Sequence, residues 1–438
     1  MLRIAIIGSG VSGLAAAHGL RDRAAISLFE AADYFGGHTH TVDITLPTPD
    51  GPRTHGVDTG FLVFNERTYP QLIKLFAELG VPSAKSDMSF SVQVPHGRGQ
   101  LEWSGASLAT VFAQPANALR PGFWRMLRDI LRFNRICTGI ALRQAEAELT
   151  QPLGTFLEQQ RFSTEFRDWY FLPMLGCIWS CPTQQMLDFP VATMIRFCHN
   201  HGLMQVSDRP AWWTVPGGAR QYVEKIVAQI PDRRLNTAVL SVRRDEQGVA
   251  LQFRDKDGTH TERFDKVVFA THSDETLALL TDASAAEREV LSAVAYQPNV
   301  AVLHTDASVL PRRRSAWAAW NYQGGAGSGP AAQPRVCLHY LLNKLQPLPF
   351  AQAVVVSLNP LQAIDPALTL GRFHYAHPVF DLAAIRAQSQ LPDLQGHKGT
   401  FFCGAWTGYG FHEDGLASGL DVAQQLQQAL LEPERLAA

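Results

Sequence analysis

With 438 residues, 46% hydrophobic and 18% charged, the chain can bury large cores and is long enough for two structural domains. Its 38 basic side chains nearly balance 40 acidic ones, for a net charge of -2, so no whole-molecule field draws it to nucleic acid and any charged partner must be met by a local patch. The first apolar run is broken by glycine and serine within a few residues, no stretch is long enough to span a bilayer, and six cysteines are scattered along the chain; the expectation is a cytoplasmic protein with reduced thiols.

The chain opens on "RIAIIGSGVSGLAAAHGLRD", which reads as a buried strand, a glycine turn and an alanine-rich helix from about Val11 to Arg21. Gly8, Gly10 and Gly13 form G-x-G-x-x-G: the first permits the tight turn, the second lets a pyrophosphate approach the backbone, and the third lets helix and strand pack closely. Ser9, Val11 and Ser12 share that turn and the helix start, where unpaired N–H groups face phosphates. "AAISLFEA" supplies a second strand ending at Glu30 and Ala31, where a carboxylate can take ribose hydroxyls.

Gly36 and Gly37, followed by His38 and Thr39, let another stretch of backbone pass close to a ligand, which an NAD-binding unit does not require. This acidic strand end followed by a Gly-Gly loop resembles the FAD-binding signature of the flavin-containing amine oxidoreductase superfamily. Later stretches extend the resemblance. "GVDTGFLVF" (56–64), with Thr59, Gly60 and Phe61, is similar to the family's D-x-G segment near the flavin, and "WWTVPGGARQYVEKI" (212–226) to its W-x-x-P-G-G stretch. Residues 235–280 read as an alternating strand, a turn at Asp257-Gly258 and a buried strand from Lys266 to Ala270; the resemblance puts Val239 near the adenine and Ala270 and Thr271 near the cofactor.

The stretches "GGHTHTV", "TGFLVFNERTYP", "SDMSFSV", "IWSCP", "YAHPVFD" and "CGAWTGYGFHEDGL" look more narrowly like the flavoprotein half fused to the methyltransferase of plant cyclopropane fatty acid synthases, and like its free-standing bacterial counterparts. The implied fold is α/β: a Rossmann-type, glutathione-reductase-like FAD-binding domain assembled from discontinuous segments (1–64, 211–290 and 396–438), with an α+β substrate domain as in amine oxidases (65–210 and 291–395). The cofactor is FAD. It is expected to be non-covalent, because Cys403 lies on the strand entering the C-terminal segment.

Within the substrate segments, "NERTYPQLIKLFAELG" reads as a helix ending at Gly80. Residues 118–136 carry Arg120, Arg125, Arg128, Arg132 and Arg135 against a single Asp129, with Trp124, Leu127 and Leu131 at helical spacing. Such a helix suits an anionic membrane surface, giving peripheral contact through 120–136, or packs as an ordinary surface helix. Cys177, Cys181, Cys198, His199 and His201 do not have the spacing of a zinc site and read as buried thiols, so no metal is expected. "QGGAGSGPAAQP" (323–334) reads as a loop.

Near the C-terminus, "GAWTGYGFHEDGLASG" precedes the last helix, whose apolar face runs from Leu416 through Leu420, Ala423, Leu426 and Leu430. Its N-terminus at Asp414 would turn N–H groups toward the flavin, and the resemblance places Gly404, Ala405, Gly415 and Leu416 at that edge. Tyr409, His412 and Glu413 are the candidate catalytic residues, the latter pair as a base; the plain alternative is that His412 and Glu413 hydrogen-bond the loop. Three functions follow. The first is a desaturase or oxidase of phospholipid-borne acyl chains, unsaturated or methyl-branched, by hydride transfer to flavin N5. The second is an amine oxidase with Trp406 and Tyr409 as an aromatic wall, and the third a flavoprotein partner of a lipid methyltransferase.

Overall fold

The computed structural model describes residues 1–143, 151–179, 183–205, 209–325 and 336–436, so Cys181 and most of the loop 323–334 lie outside the described residues. A five-stranded parallel sheet runs in the order Asp232–Arg234, Ala25–Phe29, Arg3–Ile7, Lys266–Phe269, Thr400–Phe402. Its central strand feeds two cores by simple alternation. Ile4 and Ile6 meet Leu14, Leu20 and Leu416 on the helical face, and Ala5 and Ile7 meet Phe29, Val242 and Phe269 on the other. With both faces covered, the strand has no place for a polar residue after Arg3, hence the run "IAII".

The helical face is closed by Val11–Leu20 and the C-terminal helix His412–Leu436. The opposite face is covered by the antiparallel meander Ala238–Asp245, Gly248–Asp255, Gly258–Phe264. Chain segments from the beginning, middle and end thus share one α/β unit of Rossmann type.

The other half is built on a seven-stranded mixed sheet, in the order Thr369–Val379, Ala295–His304, Val355–Leu358, Cys337–Leu341, Trp320–Gln323, Phe90–His96, Gly99–Ser104. Its one parallel pair joins Trp320–Gln323 to Phe90–His96. Helices Pro121–Leu142, Leu172–Trp179 and Val191–Asn200 pack beside it in a continuous apolar core. The expected helix at 65–80 forms over Pro70–Leu79: proline occupies the first turn, where no N–H is needed, and Gly80 ends it at φ +63°. Cys177 and Cys198 are buried in the apolar core, and burial pushes the Cys198 thiol up to about 12. Among the described residues no helix is long and apolar enough to cross a membrane.

One buried ion pair fastens the meander to the segment Asp282–Glu287 that enters helix Ala285–Ser292. The Arg244 side chain is 1% exposed; its guanidinium donates to Glu287 (2.9 Å from Nη2), to Asp282 (3.2 Å from Nε) and to Thr400 Oγ1 (3.4 Å). Burial alone would raise the Glu287 carboxyl, but the bonds from Arg244 and Ser284 outweigh it and hold the pKa at about 2. Because the folded pKa lies below the ordinary 4.5, this contribution is complete above about pH 5 and is lost as the pH falls toward 2. Replacing Glu287→Gln is expected to cost about 3 kcal/mol at pH 7 by leaving Arg244 under-compensated, with a smaller loss at pH 3. Urea unfolding at the two pH values measures this, and equal midpoints for variant and parent at pH 7 would refute it.

Candidate active site

A cavity of about 800 Å³ runs from the C-terminal ends of the parallel strands into the substrate half. Its wall brings together most residues expected at a cofactor: Gly8, Ser9, Gly10, Val11, Ser12, Glu30, Ala31, Gly36, Gly37, His38, Gly60, Phe61, Val239, Ala270, Thr271, Gly404 and Ala405. Gly13, Thr39, Thr59, Asp414, Gly415 and Leu416 lie outside it.

Each exception has a structural role. A Cβ on Gly13 would sit 2.0 Å from the Gly8 carbonyl oxygen, so this glycine serves the strand-to-helix approach. Thr39 Oγ1 meets Tyr222 Oη at 2.6 Å, and Thr59 Oγ1 donates to the His40 carbonyl at 3.0 Å. Asp414 accepts the Phe411 N–H at 2.9 Å and holds the preceding loop. A Cβ on Gly415 would meet Val11 Cγ1 at 2.7 Å, and Leu416 is fully buried. These two residues pack the last helix against the first.

The dinucleotide end suits a pyrophosphate. Gly8 holds φ +98°, and an ideal Cβ on Gly10 meets no atom within 4 Å, which leaves the turn's outer side open. Gly37 crosses immediately above, where its Cβ would lie 3.1 Å from Gly10 Cα. The first helical bond runs from Leu14 N to Gly10 O, so the N–H groups of Val11, Ser12 and Gly13 have no carbonyl within the helix. Glu30 is fixed at its strand end by Ser9 N (3.0 Å), Ser9 Oγ and Ala32 N (2.9 Å); a carboxylate has about four acceptor positions, and one remains for a ribose hydroxyl. The buried Nε2 of His38, at the same wall, has no partner among the described residues. Cys403 is buried outside the wall.

Asp58, in the D-x-G segment, holds the junction of the two halves without reaching the cavity. Fully buried, it accepts the Ala219 N–H (3.0 Å) and Gln346 Nε2 (2.7 Å) as well as Thr41 Oγ1. Burial pushes its carboxyl up to about 7 despite these donors.

On the wall of the same cavity, His412 stacks on Phe61 with ring centroids 3.9 Å apart, and its Nε2 lies 2.9 Å from Tyr222 Oη. Burial lowers its pKa to about 3, so the imidazole is neutral. The last helix starts here, two residues before Asp414: its first closing bond runs from Gly415 N to Phe411 O, leaving the N–H groups of His412, Glu413 and Asp414 without helical carbonyls.

Glu413, expected as a base, is corrected by the structure. It lies off the cavity wall, and its two oxygens accept the N–H groups of Gln71 (2.7 Å) and Leu72 (3.0 Å), capping the Pro70–Leu79 helix. Trp406 and Tyr409, the expected aromatic wall, both line the cavity. Trp406 is 2% exposed in the core beside the meander, whereas Tyr409 stands near Phe197 and its carbonyl accepts Trp179 Nε1–H at 3.4 Å.

The far end is apolar: Met88, Phe90, Met174, Ile178, Trp179, Phe197, Leu203, Trp320, Phe380 and Phe411 line it. His201 lies among them, stacked on Phe197 at 3.9 Å with Nδ1 3.0 Å from the Phe197 carbonyl oxygen. That oxygen can only accept, so Nδ1 carries the hydrogen and Nε2 the lone pair. Burial lowers the pKa to about 4. The sequence reading grouped His201 with nearby cysteines; the usable signal was its i, i+4 spacing from Phe197. Among the described lining residues the carboxylates are Glu30 and Glu275, both in the parallel-sheet half.

The profile of the flavin containing amine oxidoreductase family matches residues 11–427, and the chain belongs to that family. It is an FAD-dependent oxidoreductase of the amine oxidase superfamily. Among solved structures it is similar to a putrescine oxidase variant redesigned at its cofactor site (TM-score 0.68, 17% identity, covering 98% of this chain and 99% of that one). It is similar also to a CLA-producing fatty acid isomerase from P. acnes (0.64, 16%, 97% and 98%) and to cyclohexylamine oxidase from Brevibacterium oxydans (0.63, 16%, 98% and 99%). At these identities the likeness establishes the fold. No curated protein matches at the level of sequence.

Two substitutions separate cofactor binding from scaffolding. Gly13→Val is expected to abolish FAD retention, read as the ratio of flavin to protein absorbance; a fully loaded variant would contradict the packing assigned to Gly13. Glu413→Ala is expected to lower stability by about 1–2 kcal/mol, as loss of a helix cap does, while leaving flavin reduction within about twofold of the parent. A hundredfold slower reduction with FAD still bound would restore Glu413 as a base.

Proposed function

We propose that the protein oxidises a fatty acyl chain, free or phospholipid-borne, at a carbon allylic to a double bond or beside a methyl branch. The observation that carries this reading is the cavity's apolar lining of aromatic and aliphatic side chains, continuous with the wall at Phe61 and His412. The stretches resembling the flavoprotein half of plant cyclopropane fatty acid synthases support it, as does a fold shared with a fatty acid isomerase. Bound FAD supplies a two-electron acceptor that takes hydride at N5.

The chain's own residues then orient the substrate and receive the proton. Phe197, Phe411 and Trp179 would confine the acyl chain beside the stacked Phe61–His412 pair. Once hydride has left, the neighbouring C–H is strongly acidic, so a weak base suffices; His201 Nε2 takes that proton as the new double bond forms. One C–H bond gives its electron pair to the flavin, and the second gives its pair to the double bond. His412 is the weaker candidate for this role because Tyr222 already engages its Nε2.

Anaerobic mixing with unsaturated or methyl-branched phospholipid is expected to bleach the flavin. With a His201 pKa of about 4 the reduction rate should be level above about pH 5 and fall as the pH drops through 4. His201→Phe should slow it by about a hundredfold. Bleaching by putrescine or cyclohexylamine and by none of the lipids would establish amine oxidation instead. Reduction by neither class, with stable binding to a lipid methyltransferase, would favour the partner role.

A further inference from the structure

We infer that the face formed by helix Pro121–Leu142 and the two turns before it docks on the surface of an anionic lipid bilayer. The helix is two-sided. Phe123, Met126, Phe133 and Cys137 are buried in the core, whereas Trp124, Arg128, Leu131 and Arg135, spaced four, three and four residues apart, form an outward stripe. Trp124 is 52% exposed and Leu131 56%, and the chain leading into the helix adds Leu108 at 76% and Leu119 at 86%. Of the ten large exposed hydrophobics among the described residues, five lie between 108 and 142, so this is a patch and not the usual scatter.

The patch is one surface. The Phe112 ring packs on Trp124 at 5.5 Å, joining helix Leu108–Val111 to the long helix, and Trp124 Nε1 donates to the Ala118 carbonyl at 2.9 Å. The indole's polar edge is thereby satisfied by the protein, leaving its apolar body outward. Positive charge surrounds it. Arg125 is engaged by Glu165, and Arg132 faces Asp129 and the Phe162 ring. Arg128, 73% exposed, has only Asp129 nearby, at 3.8 Å. Arg135 is exposed and pairs with no carboxylate among the described residues. A second chain segment lies beside it: the turn Arg314–Ala316, which follows exposed Arg312 and Arg313 in sequence and begins with exposed Arg314, packs against helix Leu108–Val111.

Exposed leucine and tryptophan ringed by arginine match the boundary between anionic headgroups and acyl chains. A second copy of the chain matches poorly, because a two-fold contact through this face would set arginines against arginines. The inference is independent of the acyl-chain reading, since docking requires no turnover. It also has a geometric consequence: helix Val191–Asn200, which carries Phe197 into the cavity, packs on the inner side of the docking helix.

The test is co-sedimentation of the full-length, FAD-loaded protein with phosphatidylcholine vesicles prepared with and without phosphatidylglycerol. Binding is expected to the anionic vesicles, to weaken as salt is raised, and to fall by about tenfold or more in Arg128→Glu/Arg135→Glu and in Leu119→Glu/Leu131→Glu. FAD content and thermal midpoint of both variants, altered only at the surface, should match the parent. Equal binding of neutral and anionic vesicles, no binding to either, or variants that bind like the parent would each overturn the inference. So would self-association of the parent, seen by sedimentation velocity and abolished by the same substitutions.

Discussion

The site depends on a backbone-to-backbone contact between helices from opposite ends of the chain. A Cβ on Gly19 would lie 2.7 Å from Ala423 Cβ, and one on Gly419 would lie 2.1 Å from the Ser12 carbonyl oxygen. With Gly415 against Val11, these glycines let Val11–Leu20 and His412–Leu436 lie nearly in backbone contact. Both helices consequently start at the same cavity, one by the glycine turn and the other beside Phe61. Two sets of N–H groups without helical carbonyls, at Val11–Gly13 and at His412–Asp414, are brought to one cavity by this packing.

The second constraint attaches the substrate half. Asp58 ends the hairpin strand Gly51–Asp58 and meets Ala219, just after the Gly-Gly turn of the W-x-x-P-G-G stretch, and Gln346 of the other half. Burying a carboxylate without a countercharge is costly, and the donors gathered around it recover only part of that cost, as the upward pKa records. The junction positions Gly60 and Phe61 next along the chain, and so sets where the ring that stacks on His412 stands.

Much of this architecture was legible because its signals are local. Gly8, Gly10 and Gly13 followed by Glu30 encode strand, turn, helix and strand in one short stretch, and Gly36-Gly37 adds the second loop without long-range information. The run Gly404 to Gly419 was legible only in part. Its glycines announce close approach but not the partner, and Gly415 and Gly419 meet the helix Val11–Leu20, distant in sequence. Glu413 misleads for the same reason: an acid beside a histidine looks like catalytic machinery until the N–H groups of Gln71 and Leu72, distant in sequence, occupy it. His201 was hidden in the opposite way. Its role depends on Phe197 supplying a ring and a carbonyl, and on a cavity wall assembled from strands and helices that no window of sequence spans.

The distribution of charge bears on which bond this protein oxidises. Burial holds His201 and His377 at about 4 and His412 at about 3, so these three imidazoles are neutral, while exposed arginines concentrate on the outer helix. A substrate arriving as an alkylammonium, with a pKa near 10.4 as for lysine, would lose its proton to solvent at pH 7 at a cost of about 4–5 kcal/mol, and these three imidazoles are poor acceptors for it. An acyl chain enters without charge and asks nothing of the histidines until hydride has left, when the adjacent proton is acidic enough for an imidazole of pKa about 4 to take it. The same burial that makes these histidines poor acceptors for an ammonium proton leaves them suited to a carbon acid generated in place.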